Sequence, residues 1–217
     1  NLSNLTDNTT YYVRAYATNE AGTSYGEERS FTTLPSSGII NGHEWVDLGL
    51  PSGLKWATCN VGASSPEEYG NYYAWGETET KAEYTEENSL TDGKQMSDIL
   101  GNAQYDVATA NWGGSWRMPT REQMEELVDH CEWEWTQVNS VNVYRVTGPN
   151  GNSIFLPAAG GRDGTSLFDD GHGGYYWSST PYDYDDYLAY YLDFNDGDEG
   201  VFISLRYYGL TVRPITE

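Results

Sequence analysis

Tyrosine and aspartate alternate near the C-terminal end of this 217-residue chain, in "YYWSSTPYDYDDYLAYYLDFNDGDEG", residues 175–200. Tyrosine offers a large contact area and a polar hydroxyl group at a small cost in conformational entropy, which is why binding loops are rich in it. Aspartate supplies acceptors for hydrogen bonds and for cationic groups. The two residue types together therefore predict a ligand-binding surface, and the alternative is that they only decorate a solvated sheet.

The candidate ligand contacts fall within residues 182–207. They are Tyr182, Asp183, Tyr184, Asp185, Asp186, Tyr187, Tyr191, Asp193, Asp196, Asp198, Phe202, Ser204 and Leu205. A strand directs successive side chains to opposite faces. In "YLAYYLDF" this alternation assigns Leu188, Tyr190, Leu192 and Phe194 to the core. The same alternation places Tyr187, Ala189, Tyr191 and Asp193 on the ligand face.

The acid-dense turn "DFNDGDEG", residues 193–200, has carboxylates that could hold Ca²⁺. It does not follow the EF-hand pattern, because Gly197 stands where a ligand belongs. The three histidines show no metal-ligand spacing such as His-Glu-x-x-His, so we expect structural or surface roles for them. We expect no cofactor, with calcium at this turn as the alternative.

Catalytic motifs are weak in this sequence. No Gly-x-Ser-x-Gly motif accompanies a histidine and an acid, and abundant carboxylates without spacing are poor support for a glycosidase. We therefore expect a protein that is not an enzyme. Cys59 and Cys131 are compatible with one disulfide bond if the protein is exported, or with two buried free thiols.

The charge of the chain narrows the class of partner. The formal net charge is −22 and the isoelectric point is about 4.2. Binding to nucleic acid or to an anionic membrane needs clustered Lys and Arg, so neither is expected. There is no run of eighteen apolar residues, which argues against membrane insertion. A protein or glycan ligand at a surface remains.

The elements that must position these residues are mainly strands. "TTYYVRAYATN" and "GTSYGEERSFTT" predict a β-hairpin over 9–33, followed by a linker "LPSSG". A short helix is predicted near residues 97–111, and a second begins at Thr120, where Gln123 completes a capping box. Met124, Leu127, Val128 and Cys131 form the buried stripe of that second helix. Strands, then helices, then strands predict an α+β domain.

Six blocks occur in order in this sequence: "GHEWVDLGLPSGLKWATCNVGA", "YYAWGETETK", "NWGGSWRMPTREQMEEL", "GPNGNSIFLPAAGGR", "YYWSST" and "RYYGLTVRP". Residues 42–217 thereby resemble the major paralogous domain (FISUMP) family of exported bacterial proteins. The resemblance implies a C-type lectin-like fold, similar to that of the variable proteins of diversity-generating retroelements. In those proteins the changeable residues precede a closing motif like "RYYGLTVRP", which raises the hypothesis that the Tyr/Asp stretch is diversified.

Residues 1–34 resemble the last two strands of a fibronectin type III or immunoglobulin-like repeat, on "TTYYVRAYATNEAGTSYGE" and "SFTT". Residues 35–41 would then be a linker and 42–217 the lectin-like domain. Together these resemblances predict a secreted or cell-surface binding module that presents the Tyr/Asp face to a ligand. The alternatives are a structural or adhesin subunit that packs on another protein, and a carbohydrate-binding module.

Overall fold

The computed structural model describes residues 5–6, 8–33 and 35–217. The chain divides into two compact units, Asn1–Ser36 and Ser37–Glu217. Residues 1–4, 7 and 34 of the predicted partial repeat lie outside the described residues.

The first unit is a long antiparallel hairpin. Its strands are β1 (Thr10–Val13), β2 (Tyr16–Asn19), β3 (Gly22–Tyr25) and β4 (Arg29–Thr32). β1 pairs with β4 and β2 pairs with β3, and cross-strand aromatic pairs join Tyr11 to Phe31 and Tyr16 to Tyr25. No described residue of this unit is buried, so it has no closed core of its own. Its resemblance to a fibronectin type III or immunoglobulin-like repeat stays a prediction.

The second unit consists of small antiparallel sheets. Its strands are β5 (Ser37–Ile40), β6 (His43–Asp47), β7 (Lys55–Ala57), β8 (Glu132–Val138), β9 (Val141–Thr147), β10 (Ser153–Pro157), β11 (Gly161–Asp163), β12 (Ser166–Phe168), β13 (Gly173–Pro181), β14 (Leu188–Asn195), β15 (Asp198–Leu205) and β16 (Ile215–Thr216). Its helices are a 3-10 turn (Glu86–Asn88), α1 (Val107–Trp112) and α2 (Arg121–His130). The sheet orders are β16-β7-β6-β5, β10-β9-β8, β13-β14-β15 and β11-β12.

The predicted α+β class with two helices is wrong. Across the described residues, the structure is 42% strand and 9% helix, and one helix has seven residues or more. α1 has six residues because the polar segment before it forms turns instead of helix. Asp106 accepts hydrogen bonds from the backbone N–H groups of Gly101 at 2.8 Å and of Thr109 at 3.0 Å, so it caps α1 and fixes the turn that precedes it. Such side-chain to backbone bonds compete with helix formation.

The second predicted helix is confirmed as α2. Thr120 is its N-cap, and the capping box with Gln123 is present. Met124 and Leu127 are fully buried in the second of the three hydrophobic clusters formed by the described residues, as the helical spacing predicts. Val128 and Cys131 of the same predicted stripe are only half-buried against that cluster. The side chains of α2 therefore pack on the sheet that carries the Tyr/Asp stretch, since α2 contacts β13, β14 and β15.

Four residues assigned to the linker belong to a sheet. Residues 37–40 form β5 and pair with β6, from Ser37 opposite Val46 to Ile40 opposite His43. The ring of Trp45 lies so close to Gly38 that a Cβ atom there would stand 2.6 Å from it. Ile40 also packs against the first hydrophobic cluster. Backbone pairing with β6 and the half-buried side chain of Ile40 extend the sheet into a segment whose Ser and Gly content indicates a linker.

The sheet β13-β14-β15 contributes side chains to the first and the second hydrophobic cluster. Trp177 and Ala189 are buried in the first cluster, whereas Tyr176, Leu192 and Phe194 are buried in the second. The prediction that Leu192 and Phe194 face a core is therefore confirmed. The opposite face is not fully solvated, because Ala189 is buried and Tyr191 packs partly against the first cluster.

Most tryptophans build these clusters. The buried ones are Trp45, Trp56, Trp75, Trp112, Trp116 and Trp177. Trp133 and Trp135 are partly buried and pack against the second cluster, with the ring of Tyr144 5.3 and 5.2 Å away. His43 is half-buried and stacks on Trp112 with 3.8 Å between ring centroids, and burial lowers its pKa. These aromatic side chains therefore serve packing.

Arg213 anchors the end of the chain inside the protein. Its guanidinium donates hydrogen bonds to the carbonyl oxygens of Ala57 at 2.9 Å, Thr58 at 2.6 Å and Phe155 at 2.8 Å, and to Asn60 Oδ1 at 2.8 Å. Every partner is neutral, and burial lowers the pKa of Arg213. This residue thereby links the β6–β7 region, β10 and the segment that leads into β16.

Candidate functional site

The structure divides the thirteen predicted contact residues among four places. The loop 182–187, named here the tyrosine loop, joins β13 to β14, and Asp183, Tyr184, Asp185, Asp186 and Tyr187 are exposed there. Tyr191, Asp193, Phe202 and Ser204 share one face of the β14–β15 pair. Asp196 lies in the turn that follows β14 and Asp198 begins β15; the 8 residues of β14 separate them from the tyrosine loop by roughly 26 Å at ~3.3 Å per residue. Leu205, opposite Leu188, alternates to the other face.

The tyrosine loop has a defined backbone. The N–H of Tyr182 donates to the carbonyl oxygen of Leu188 at 3.0 Å, which closes the loop at its base. Asp185 accepts a hydrogen bond from the N–H of Tyr187 at 3.0 Å through Oδ1. The half-buried ring of Tyr182 contacts Tyr184 at 5.5 Å and Tyr190 at 5.6 Å, whereas Tyr184 is 87% exposed. The loop therefore holds an exposed tyrosine on an ordered base.

Arg206 supports this loop from below. Its Nε donates to the carbonyl oxygen of Leu188 at 3.0 Å, and its backbone N–H donates to the carbonyl oxygen of Tyr187 at 2.9 Å. Nη1 donates to the carbonyl oxygen of Lys94 at 2.7 Å, and the guanidinium lies 4.5 Å from the ring of Trp75. Arg206 is fully buried, and burial lowers its pKa while nearby aspartates oppose that change.

A segment remote in sequence also braces the tyrosine loop. The N–H of Gly93 donates to the carbonyl oxygen of Asp186 at 3.2 Å. A Cβ atom at Gly93 would stand 3.2 Å from the ring of Tyr187, so the ring rests against the glycine backbone. Gly93 has φ +67, a conformation that favours glycine. Sequence reasoning missed this support, because nothing local connects residue 93 with residue 187.

A small pocket opens on the same sheet face. It has a volume of about 180 Å³ and is lined by Phe168, Tyr175, Tyr191, Asp193, Ser204, Tyr208 and Leu210; we name it the aromatic pocket. Three of the predicted contacts, Tyr191, Asp193 and Ser204, therefore come together. The other four lining residues were missed. Tyr175 is paired with Asp193 across β13 and β14. The alternation of β14 alone does not reveal this partner, because it does not say which residue of another strand lies opposite.

Two glycines allow the rings to approach the backbone at this face. A Cβ atom at Gly161 would stand 2.5 Å from the ring of Phe168, and one at Gly200 would stand 2.9 Å from the ring of Phe202. Phe168 is thereby held at the aromatic pocket, and the 51% exposed ring of Phe202 lies over β15 beside Asp193, which is paired with Gly200. The position of Phe168 in the pocket wall thus depends on glycine at position 161.

Two of the three tyrosines that line the aromatic pocket donate their hydroxyl hydrogens to carboxylates. Tyr191 donates to Asp193 Oδ2 at 2.9 Å, and Tyr175 donates to Asp169 Oδ2 at 2.9 Å. Burial, together with the neighbouring aspartates, raises the pKa of both tyrosines. Burial also raises the pKa of Asp193, with smaller contributions from Asp198 and Asp169, while the hydrogen bond from Tyr191 opposes the rise.

Two further predictions concern a metal site and insertion into a membrane. Among the described residues, no group of three or more His, Cys, Asp or Glu side chains is arranged to hold a metal ion, so the calcium alternative finds no ligand set at the 193–200 turn. Over the described ranges, none of the helices combines the length and the apolar character needed to cross a membrane.

The possible disulfide bond is absent, since Cys59 and Cys131 are both free thiols. Cys59 lines a cavity beside His43 and Trp112, whereas Cys131 ends α2 and packs against the second hydrophobic cluster. The two side chains therefore serve different parts of the unit. Burial, with the charge of Glu126, raises the pKa of Cys131 to about 11.

Comparison with known proteins gives one family. The family model of the Lcl C-terminal domain matches residues 49–216, which include α2, the tyrosine loop and the aromatic pocket. No curated protein and no solved structure matches the chain. The resemblance to the FISUMP family stays a prediction. Because the match covers most of its length, the chain belongs to the Lcl C-terminal domain family, a C-type lectin-like family akin to the variable proteins of diversity-generating retroelements.

Proposed function

We propose that this protein is a non-catalytic module, secreted or displayed at the cell surface, that binds a protein ligand through the tyrosine loop and the adjoining face of β14 and β15. Membership of a lectin-like family supports a surface-binding role. The observation that carries the proposal is the exposure of Tyr184, 87%, and Tyr187, 47%, on a loop whose base is held by buried Arg206.

The tyrosine loop has an ordered backbone, yet two of its tyrosine rings are exposed. Exposed tyrosine contributes binding energy when little entropy is lost on binding, and a loop with fixed hydrogen bonds loses less than a mobile one. Asp183, Asp185 and Asp186 surround the two exposed rings with acceptors. The ligand that complements this surface is therefore positively charged, and the net charge of −22 attracts such a ligand from a distance.

The test is selection of binders followed by variants. A random-peptide display library and a glycan array would be probed with the wild-type chain. The double variant Tyr184→Ser, Tyr187→Ser should bind selected peptides at least about tenfold more weakly, because tyrosines at the centre of interfaces are frequent hot spots. The matched control is Tyr12→Ser, Tyr16→Ser in the first unit, where the rings are 68% and 71% exposed.

Equal binding by the loop variant and the wild type would contradict the proposal, and so would binding confined to glycans. Self-association is a further outcome to separate. β15 lies at the edge of its sheet and exposes Phe202 and Ile203, at 51% and 39%. Light scattering that showed a stable dimer, dissociated by Phe202→Ser but unaffected by the loop variant, would instead favour a structural subunit.

A further inference from the structure

We propose that the aromatic pocket binds the cationic head group of an arginine or lysine side chain from the protein ligand, between its aromatic rings and the carboxylate of Asp193. This inference rests on the proposed function and names the chemistry that the ligand must carry. Three observations lead to it: the arrangement of the rings, the hydrogen bonds already made by the tyrosines, and the charges around Asp193.

The rings form a continuous wall. Centroid distances are 5.6 Å from Phe168 to Tyr175, 5.9 Å from Phe168 to Tyr208 and 6.0 Å from Tyr175 to Tyr191. A cation within about 6 Å of a ring centroid is attracted by the negative face of the ring. A head group placed in a pocket of about 180 Å³ would therefore contact several rings at once. This volume suits the end of one side chain.

Two of the three tyrosine hydroxyl groups in the pocket are already used as donors to carboxylates. The hydroxyl hydrogens of Tyr191 and Tyr175 point to Asp193 and Asp169, so neither is free to donate to a ligand. A neutral sugar presents hydroxyl groups that both donate and accept, whereas guanidinium and ammonium groups only donate. An aromatic wall with a carboxylate acceptor thus favours a cation over a neutral sugar.

The charges near Asp193 are all negative. Asp169 and Asp198 are the neighbouring groups that disfavour its ionisation. Within the described part of the chain, the ion pairs use Glu28, Glu77, Glu125 and Glu134, and none uses Asp193. A half-buried carboxylate beside like charges and without a basic partner gains when a cation enters. The ligand supplies the positive charge that the chain itself does not.

The experiment uses small probes on the full chain. N-acetyl-arginine methylamide and N-acetyl-lysine methylamide would be titrated while methyl and aromatic NMR signals are followed. N-acetyl-citrulline methylamide, which is nearly isosteric with arginine but neutral, is the matched neutral probe, and glucosamine is the cationic sugar. We expect at least one of the two amino-acid cations to bind and to shift the ring signals of Tyr175, Tyr191 and Tyr208. The citrulline probe should not.

Variants then locate the site. Asp193→Asn keeps the shape and removes the charge, and it should weaken binding of the cationic probe about tenfold or more, since hydrogen bonds to charged groups are the strong ones. Asp196→Asn makes the same change of charge at an exposed residue of the neighbouring turn and should change affinity less than about twofold, because exposed charges are screened. Thermal melts of both variants verify that they are folded.

Equal affinity for the citrulline and arginine probes, or unchanged affinity in Asp193→Asn, would overturn the inference. Binding of glucosamine without binding of either amino-acid cation would overturn it as well, in favour of a glycan. A failure of the proposal for the aromatic pocket can be distinguished from a failure of the proposed function of the tyrosine loop. The Tyr184→Ser, Tyr187→Ser variant should leave binding of the small probes unchanged, because neither ring lines the aromatic pocket.

Discussion

The hydroxyl group of Tyr191 donates a hydrogen bond to Asp193 Oδ2 over 2.9 Å, between two side chains on the same face of β14. This bond stabilises the ionised form of a carboxylate whose pKa burial raises above its ordinary value. The pair therefore sets the pH range over which the aromatic pocket carries a negative charge. The facing groups are Asp169 and Asp198, which are acidic, and Tyr175.

Tyr191→Phe keeps the ring and removes the donor, so the pKa of Asp193 should rise further. Binding of N-acetyl-arginine methylamide should be lost as the pH falls through that pKa, and the loss should begin at a higher pH in Tyr191→Phe than in the wild type. Carboxyl-detected NMR titration of Asp193 and calorimetry over a pH series would measure both quantities. Identical midpoints in the two proteins would contradict this expectation.

The raised pKa of Asp193 acts on stability in the opposite direction to its effect on binding: binding is lost at low pH, whereas the contribution to folding is lost at high pH. The folded state holds the proton of Asp193 to a higher pH than the unfolded chain does. Its contribution therefore favours folding at acid pH and is lost as the pH rises through the raised pKa. In Asp193→Asn this part of the pH dependence of the free energy of unfolding should vanish, which urea denaturation at several pH values would detect.

Removal of Arg206 should destabilise the second unit. Arg206→Ala should cost about 2–4 kcal/mol, because the carbonyl oxygen of Lys94 loses the donor that Arg206 supplies, at ~1–3 kcal/mol, and the buried side chain leaves a cavity. The control is Arg145→Ala, whose ion pair with Glu134 at 3.0 Å is exposed on both sides. That variant should lose about 0.2–1 kcal/mol. Urea denaturation gives both values, and equal losses would show that Arg206 does not hold the tyrosine loop.

A variant of Trp177 should lose stability, whereas a variant of Tyr184 should remain stable and lose binding. Trp177 is fully buried, so Trp177→Ala should cost about 3–5 kcal/mol through the cavity it leaves. Tyr184→Ser removes an exposed ring and should stay within about 0.5 kcal/mol. Tyr191→Ser should fall between them, since Tyr191 is half-buried. A large loss of stability in Tyr184→Ser, measured by thermal melting, would show that its ring is part of the packing.

The two cysteines should remain reduced thiols. Reaction with a thiol reagent after unfolding without reductant should count two thiols per chain. In the folded protein at pH 8, Cys131 should alkylate slowly, because its pKa of about 11 leaves little thiolate. Mass spectrometry of the labelled peptides would follow it. A peptide that links Cys59 to Cys131 in an oxidised sample would contradict the structure.

The sequence alone determined the features that depend on neighbouring residues. The capping box of Thr120 and Gln123, the buried stripe of Met124 and Leu127, and the burial of Leu192 and Phe194 all follow from local periodicity and local hydrogen bonds. The exposure of Tyr184 and Tyr187 follows from the neighbouring aspartates, which favour a solvent-exposed loop. In each case the pattern within one helix, strand or loop fixes which side chains share a face, although the energy of burial comes from packing against other segments.

Tertiary structure decided the remainder. Whether residues 37–40 form a strand depends on Trp45, and the length of α1 depends on a network of bonds to Asp106. The burial of Ala189 depends on a hydrophobic cluster on the second face of β14. The aromatic pocket joins Phe168 of β12, Tyr191 of β14 and Tyr208 after β15, which pack together only when separate sheets come into contact. The hydrophobic effect is non-directional, so an apolar residue does not specify which distant residue it will contact. No local sequence pattern therefore shows which segments pack together.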